Sequence, residues 1–353
     1  MKVGFDAKRY FNNQTGLGNY SRWLVDGLSK LAKYEFHLYH TKPCAHELQV
    51  HSPKGLMVYL SSFWRSKYIV RDLVDDGIDI YHGLSNEIPF GIHRTSIKTV
   101  VTIHDLINLR YPEYYNILDR LIYKSKLRYA VRYADTILVP SVQTKNDLVN
   151  LLQAKKTKIQ VLPLSVKSHR LPIKEEYAYP PSNDYILCVS GFSKRKNLVR
   201  LIHAFKRINT KIHLVIAGRK GDTYNQALQA SSGIENITLM TDISDNTLES
   251  LYDKCLFCVY PSEYEGFGIP ILEAFSHGKT VATSKVSSMP EVGGNAAAYF
   301  NPLNEDEIES CIQALLDSEE RAKYEVNIDQ RLLEFESDKL LNQYMEIYQT
   351  IGS

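Results

Sequence analysis

Residues 256–274 read as a single strand, turn and helix, and that unit narrows the folds open to the chain. Leu256 to Tyr260 is a short apolar run, the pattern of a parallel strand covered on both faces. Pro261-Ser262-Glu263-Tyr264-Glu265-Gly266-Phe267-Gly268-Ile269 then turns the chain, with Gly266 and Gly268 permitting close backbone approach. Pro270 suits the first turn of a helix that carries Glu273. A strand feeding a helix N-terminus is the repeating unit of a parallel α/β sheet. Backbone N–H groups at such a terminus hold phosphate oxygens, while Glu265 and Glu273 accept hydrogen bonds from sugar or ribose hydroxyls. The competing assignment leaves Glu265 in a solvated turn and Glu273 against the helix dipole.

The same unit recurs along the chain. Lys2 to Phe5, Glu35 to Tyr39, Met57 to Leu60, Ile78 to Tyr81, Ile97 to Ile103 and Thr136 to Val139 are strand candidates, and Asn19 to Ala32 has helical periodicity. The Pro-rich segment Lys167 to Asp184 interrupts the pattern and reads as a connection. Beyond it, Asp184 to Val189, Ile212 to Ala217, Ile237 to Met240, Leu256 to Tyr260 and Thr280 to Ala282 alternate with helices at Leu198 to Ile208, Asp245 to Cys255 and Pro270 to His277. Glu305 to Asp317 and Ser337 to Thr350 are helical. The 353 residues thus predict two doubly wound α/β domains facing across a cleft, with ligands at the carboxyl ends of the strands.

A net charge of only +2 argues against nucleic acid as a partner, so any phosphate site is local. The start has no secretory apolar stretch and no run is long enough to span a bilayer, which predicts a cytoplasmic protein. Five cysteines, an odd number in a large chain, point to reduced thiols. Cys255-Leu256-Phe257-Cys258 lacks a second pair and sits in a strand pattern, so it reads as core and no metal site is assigned.

Three further segments carry chemistry. Ile97 to Ile103 ends at His104-Asp105, which places an imidazole at the carboxyl end of a parallel strand, able to take a proton or position a hydroxyl; the alternative is a histidine satisfied by Asp105 or a nearby carbonyl. Gly16-Leu17-Gly18 reads as a turn before a helix, open to a diphosphate. A nicotinamide fingerprint competes, but Ser21 holds the third glycine position and Glu35 precedes the next strand rather than ending it. Lys194-Arg195-Lys196 sets three cations at another helix start, where they oppose the helix dipole and make sense if an anion binds. A solvated basic turn is the alternative.

Arg195-Lys196-Asn197, Glu265 with Glu273, His104-Asp105, Gly16 to Gly18 and Ser288-Met289-Pro290-Glu291-Val292-Gly293-Gly294 together resemble family 4 glycosyltransferases. The resemblance covers nearly the whole chain and implies the GT-B fold of two Rossmann-like domains, a retaining reaction and a nucleotide diphosphate sugar as substrate, with no cofactor. It implies domains at 1–168 and 184–334, a linker at 169–183, and a helix at 335–353 returning to the first domain. By the same resemblance, Glu265 contacts the transferred sugar and Glu273 the ribose. The amides of Gly266, Phe267, Gly268 and Ile269 face the sugar and diphosphate. Arg195 and Lys196 hold the diphosphate opposite Gly16, Leu17 and Gly18, and His104 lies near the sugar. His104, Arg195, Lys196 and Glu265 are then the catalytic set. Ser190 stands where the family tends to have glycine.

The base is expected around Met240, Thr241, Asp242 and Ile243, which suit guanine or uracil through backbone groups. Likeness to mannosyltransferases of surface-polysaccharide assembly favours GDP-mannose over a UDP-sugar, and a glycan or lipid-linked acceptor. Competing functions are a sugar-nucleotide epimerase or a binder on the same fold, and a glycoside hydrolase using Glu265 and Glu273 as its carboxyl pair. Tyr114 to Tyr133 sets Arg120, Lys124, Lys126, Arg128 and Arg132 among aromatic and aliphatic residues, suiting either peripheral contact with an anionic membrane at its cytoplasmic face or a core helix with a basic outer side.

Overall fold

A computed structural model describes residues 1–31, 34–165 and 184–352. The chain forms two compact units, Met1–Leu164 with Ser337–Ser353, and Ser165–Glu336. The segment read as a linker, 169–183, and Ala32 at the end of the first expected helix lie outside the described residues.

Among the described residues, the first unit is built on seven strands: β1 (Lys2–Asp6), β2 (Glu35–Tyr39), β3 (Gln49–His51), β4 (Ile80–Gly83), β5 (Lys98–Thr102), β6 (Thr136–Val139) and β7 (Ile159–Val161). The second has six: β8 (Tyr185–Val189), β9 (His213–Ala217), β10 (Ile237–Met240), β11 (Cys258–Tyr260), β12 (Val281–Ser284) and β13 (Ala297–Phe300). Spatial order is β3-β2-β1-β4-β5-β6-β7 and β10-β9-β8-β11-β12-β13. Every ladder is parallel, for example Val3↔Phe36 and Val3↔Ile80 in the first sheet and Cys258↔Leu187 and Cys258↔Val281 in the second. Central strands carry near-continuous apolar runs because helices cover both faces. Val101, Ile103, Leu127 and Ile137 are fully buried in one core, and Ile186, Ile216, Phe257 and Phe300 in the other.

Strand order reverses between β1 and β4, and again between β8 and β11. At such a reversal the loops leaving neighbouring strands diverge to opposite faces and open a crevice at the carboxyl ends. In the second unit those loops are the basic turn after β8 and the Glu265 turn after β11.

Two expectations are corrected. Met57 to Leu60 is no strand: Gly55, at φ +57°, opens a 3₁₀ turn over Gly55–Val58. Leu56, Val58, Tyr59 and Leu60 are all exposed and Met57 alone of the segment packs against the core, which is not the alternation of a sheet strand. The strand beside β2 is instead Gln49–His51, in register His37↔Gln49. Gly16-Leu17-Gly18 is not a turn ahead of a helix but its first turn, the helix spanning Gly16–Leu31. The Asn13 side chain accepts from the amides of Thr15 (2.8 Å) and Gly18 (3.1 Å) and so starts the helix early. A Cβ on Gly18 would stand 1.7 Å from the Asn13 carbonyl oxygen, which no side chain tolerates.

A buried polar cluster ties the C-terminal helix, Ser337–Gly352, into the first unit. His82 on β4 pairs with the Tyr348 hydroxyl (2.6 Å) and the Thr102 hydroxyl (2.8 Å). Tyr20 bonds the same Thr102 hydroxyl (2.7 Å) and that of Tyr344 (3.1 Å). Burial, with His104 adding to it, lowers the His82 pKa from 6.5 to about 3. The unfolded chain therefore takes up a proton near pH 6.5 that the folded protein refuses, and stability present above that pH is lost as pH falls toward 3. The slope per such group is at most about 1.4 kcal/mol per pH unit. Chemical denaturation between pH 7 and pH 4.5 should show this loss, and His82→Gln should be less stable at pH 7 yet show a flatter pH slope. An unchanged slope in the variant would contradict the assignment.

Candidate functional site

In the second unit the chain leaves β8 through Ser190-Gly191-Phe192-Ser193 and enters a 3₁₀ turn, Lys194–Lys196. Asn197 follows in the left-handed region (φ 59°), with its side-chain amide held by the carbonyls of Pro302 (2.6 Å) and Pro261 (3.2 Å). Those bonds fix Arg195 and Lys196 against the neighbouring loop, where the Glu263 amide donates to the Arg195 carbonyl (2.9 Å). The sequence separation of about seventy residues thus closes into a single cluster. One Glu265 oxygen lies 2.5 Å from an Arg195 nitrogen and 2.6 Å from the Lys196 ammonium.

The cluster is largely shut off from water, the Lys196 and Glu265 side chains each being 11% exposed. Burial pushes the Glu265 carboxyl up, but Arg195 and then Lys196 outweigh it and hold the group at about 2. Burial likewise pushes the Lys196 ammonium down, against the pull of Glu265, to about 8. Lys196 also bonds the Tyr260 hydroxyl and lies 4.6 Å from the centre of its ring. With two cations against one anion, the cluster keeps a net positive charge that suits a phosphate dianion.

The Glu265 backbone is anchored from the far side. Ser287, at φ 58°, accepts from the Glu265 amide (3.2 Å) and donates to its carbonyl (2.7 Å). Ser288 lies within reach of the carbonyls of Glu265 (2.9 Å) and Phe267 (2.6 Å). Gly268, at φ 122°, then leads into the helix Ile269–Ser276, with Pro270 in its first turn. Glu273 projects from the next turn and accepts from the Tyr252 hydroxyl (2.9 Å). Burial raises the Glu273 carboxyl, while that bond lowers it. Met240 ends β10 with its carbonyl bonded to the Gly218 amide (3.0 Å). Thr241, Asp242 (φ 58°) and Ile243 form the partly exposed bend before the helix Asp245–Lys254.

In the first unit, His104 stands just past β5 and is 7% exposed. Its Nε2 meets the Leu84 carbonyl (2.9 Å), which fixes the tautomer and leaves Nδ1 as an acceptor. Burial lowers its pKa to about 4, so the ring is neutral near pH 7. The Tyr20 ring meets it edge-on at 4.7 Å. The amides of Gly16 and Leu17, in the first turn of their helix, take no partner among the described residues.

Tyr260, Ser287, Ser288 and Tyr252 were missed as site residues by sequence reasoning. Ser288 opens the Ser288 to Gly294 run and Ser287 precedes it, which was the one available hint. Cys255 and Cys258 are buried with their sulfurs 3.8 Å apart. Among the described residues, no group of three or more His, Cys, Asp or Glu is placed to hold a metal ion, and no helix is long and apolar enough to cross a membrane.

Comparison with known proteins agrees with this architecture. Residues 170–331 match the family "Glycosyl transferases group 1", and residues 15–170 match "Glycosyltransferase Family 4". O-antigen chain mannosyltransferase B of Escherichia coli is 30% identical over 269 residues, covering 72% of this chain and 68% of that protein. O-antigen chain mannosyltransferase RfbU of Salmonella typhimurium is 28% identical, covering 60% of this chain and 59% of its own length. Sucrose-phosphate synthase of Thermosynechococcus elongatus superposes with a TM-score of 0.82 at 18% identity, over 99% of this chain and 98% of the other, a likeness of fold. The chain belongs to glycosyltransferase family 4, enzymes of the GT-B fold that draw on a nucleotide-activated sugar.

Proposed function

We propose that the chain moves mannose from GDP-mannose to a glycan or lipid-linked saccharide with retention of configuration and without a metal. The observation that carries this reading is the Glu265 carboxylate shared by Arg195 and Lys196 where β8 and β11 open. The bond from the sugar's anomeric carbon to the diphosphate breaks while a bond to the acceptor oxygen forms on the same face. The acceptor proton passes to the departing phosphate oxygen. Arg195 and Lys196, with the amides of Gly266, Phe267, Gly268 and Ile269, stabilise the charge that accumulates there. Glu273 takes the ribose, and in the first unit the first-turn amides of Gly16 and Leu17 suit an anion, while that of Gly18 is already bonded to Asn13 and Thr15. The bend at Met240, Thr241, Asp242 and Ile243 receives the base through backbone groups.

Glu265, held at about 2, carries no proton to give near neutral pH. That supports a role accepting hydrogen bonds from the transferred sugar and tells against the acid of a hydrolase. His104, neutral with Nδ1 as acceptor, suits a sugar hydroxyl. The mannosyltransferase relatives favour mannose, with a UDP-sugar as the alternative donor. Product analysis separates transfer from epimerisation and from plain binding.

Peripheral membrane contact has support in the first unit. Ile117, Leu118, Leu121 and Ile122 are 58–69% exposed on the first turns of the helix Ile117–Tyr133. Arg120, Lys124 and Arg128, spaced by four, form a basic stripe along that helix. An apolar face bordered by cations fits an anionic lipid surface. Leu56, Val58, Tyr59 and Phe63 form a second exposed apolar segment. It is linked to the helix through Glu87, which pairs with both Arg65 and Lys126.

Arg195→Ala and Lys196→Ala should each lower kcat for transfer by roughly a hundredfold or more while the fold survives. EDTA should leave the wild-type rate unchanged. Near-normal transfer by both variants, or a metal-restorable loss in EDTA, would overturn the charge assignment. In flotation, the protein should rise with anionic but not zwitterionic vesicles. Leu118→Ser with Ile122→Ser should weaken that binding several-fold; no binding to anionic vesicles would remove the membrane reading.

A further inference from the structure

The helix Asp245–Lys254 carries Glu249, Tyr252 and Asp253 at spacings of three and four, hence on one face. That face meets His277, the residue that closes the helix Ile269–Ser276. His277 Nδ1 lies 2.6 Å from an Asp253 oxygen and Nε2 lies 3.1 Å from a Glu249 oxygen. Its ring stacks on that of Tyr252, centres 5.2 Å apart and planes 14° from parallel. Both rings are almost fully buried, and the Tyr252 hydroxyl donates to Oε2 of Glu273 at 2.9 Å.

This arrangement is more than helix packing needs. Two carboxylates hold the imidazole, the imidazole fixes the phenol plane, and the phenol commits one oxygen of Glu273. The other oxygen, Oε1, takes no partner among the described residues. We infer that Tyr252 is a positioning residue, clamped by His277, that aims the free oxygen of Glu273 at the donor's ribose and so sets the preference for ribo- over deoxyribonucleotides. The inference rests on the reading of Glu273 as the ribose ligand. The same helix begins, through its Ser244 cap, directly after the bend assigned to the base. Base and ribose recognition therefore share one rigid element.

The charge state follows the geometry. A carboxylate accepts two ribose hydroxyl protons, whereas a carboxylic acid spends one oxygen as a donor. The groups facing Glu273 are Tyr252 and Glu249 from the helix Asp245–Lys254, His277, and Lys196 from the basic turn. Of these, the Tyr252 hydrogen bond works most strongly against the burial that raises the Glu273 carboxyl. Without it, Glu273 takes a proton at higher pH, and ribose binding weakens on the acid side first.

The test is the affinity of wild type, Tyr252→Phe and Glu273→Ala for GDP and UDP and for their 2′- and 3′-deoxy forms, at pH 7.5 and pH 5.5. Wild type should prefer the ribo form of the nucleotide it binds, and Glu273→Ala should lose that preference. Tyr252→Phe, which removes a single oxygen, should reduce the preference roughly three- to tenfold, the effect of one hydrogen bond of ordinary strength. The reduction should be larger at pH 5.5, with kcat at saturating donor nearly unchanged. If Glu273→Ala keeps the preference, the ribose assignment itself fails. If Glu273→Ala loses it and Tyr252→Phe keeps it at both pH values, the positioning role fails while the ribose assignment stands. Tyr252→Met replaces the phenylalanine variant if the latter does not fold, with the same outcomes deciding.

Discussion

Two cations within reach of one oxygen repel each other and lose hydration on burial, so they persist inside a protein only with a compensating anion. In this chain the anion is Glu265, and much of the second unit can be understood from the demand that its carboxylate meet Arg195 and Lys196 at 2.5 and 2.6 Å. Asn197 adopts a left-handed backbone to turn the basic segment inward, and two proline carbonyls hold it there. Ser287 and Ser288 brace the Glu265 backbone from the opposite side. The sheet makes the meeting possible, since only adjacent strands whose connections leave toward opposite faces bring loops so distant in sequence to one point.

The cluster is poised rather than saturated. It retains one positive charge, and its lysine sits near pH 8 because burial and the Glu265 charge oppose each other. On the proposed reading, a diphosphate arriving beside it would add negative charge where Lys196 needs it and draw the lysine fully into its ammonium form. The same carboxylate that stabilises the cations is kept ionised by them, which leaves it suited to accepting hydroxyl protons and unsuited to donating one. Two acids that look alike in the sequence therefore diverge: burial raises Glu273, while the cations hold Glu265 low.

The central strands were legible because a strand buried on both faces must be apolar throughout. Tyr185–Val189, His213–Ala217 and Thr136–Val139 fall within a residue of where the pattern put them. Edge strands such as Gln49–His51 and Ile159–Val161 were not, since three residues with one covered face leave no such run. Met57 to Leu60 misled for the opposite reason, being apolar and yet mostly exposed. Arg195, Lys196 and Glu265 were readable as chemistry because charges at turns are conspicuous, but their direct contact was not, since it depends on strand order. Tyr260 and Tyr252 escaped altogether: among 24 tyrosines, nothing local marks the two whose hydroxyls touch the charged groups.

On the proposed reading, a nucleoside diphosphate binds by recharging the buried Lys196 beside Arg195. The most direct test is isothermal titration with GDP and with UDP at pH 8 in buffers of different ionisation enthalpy. Because Lys196 sits at about 8, the nucleotide that binds should do so with uptake of about half a proton, and Lys196→Arg should bind with none. Binding to the wild type without proton uptake, or equal uptake in Lys196→Arg, would contradict the account.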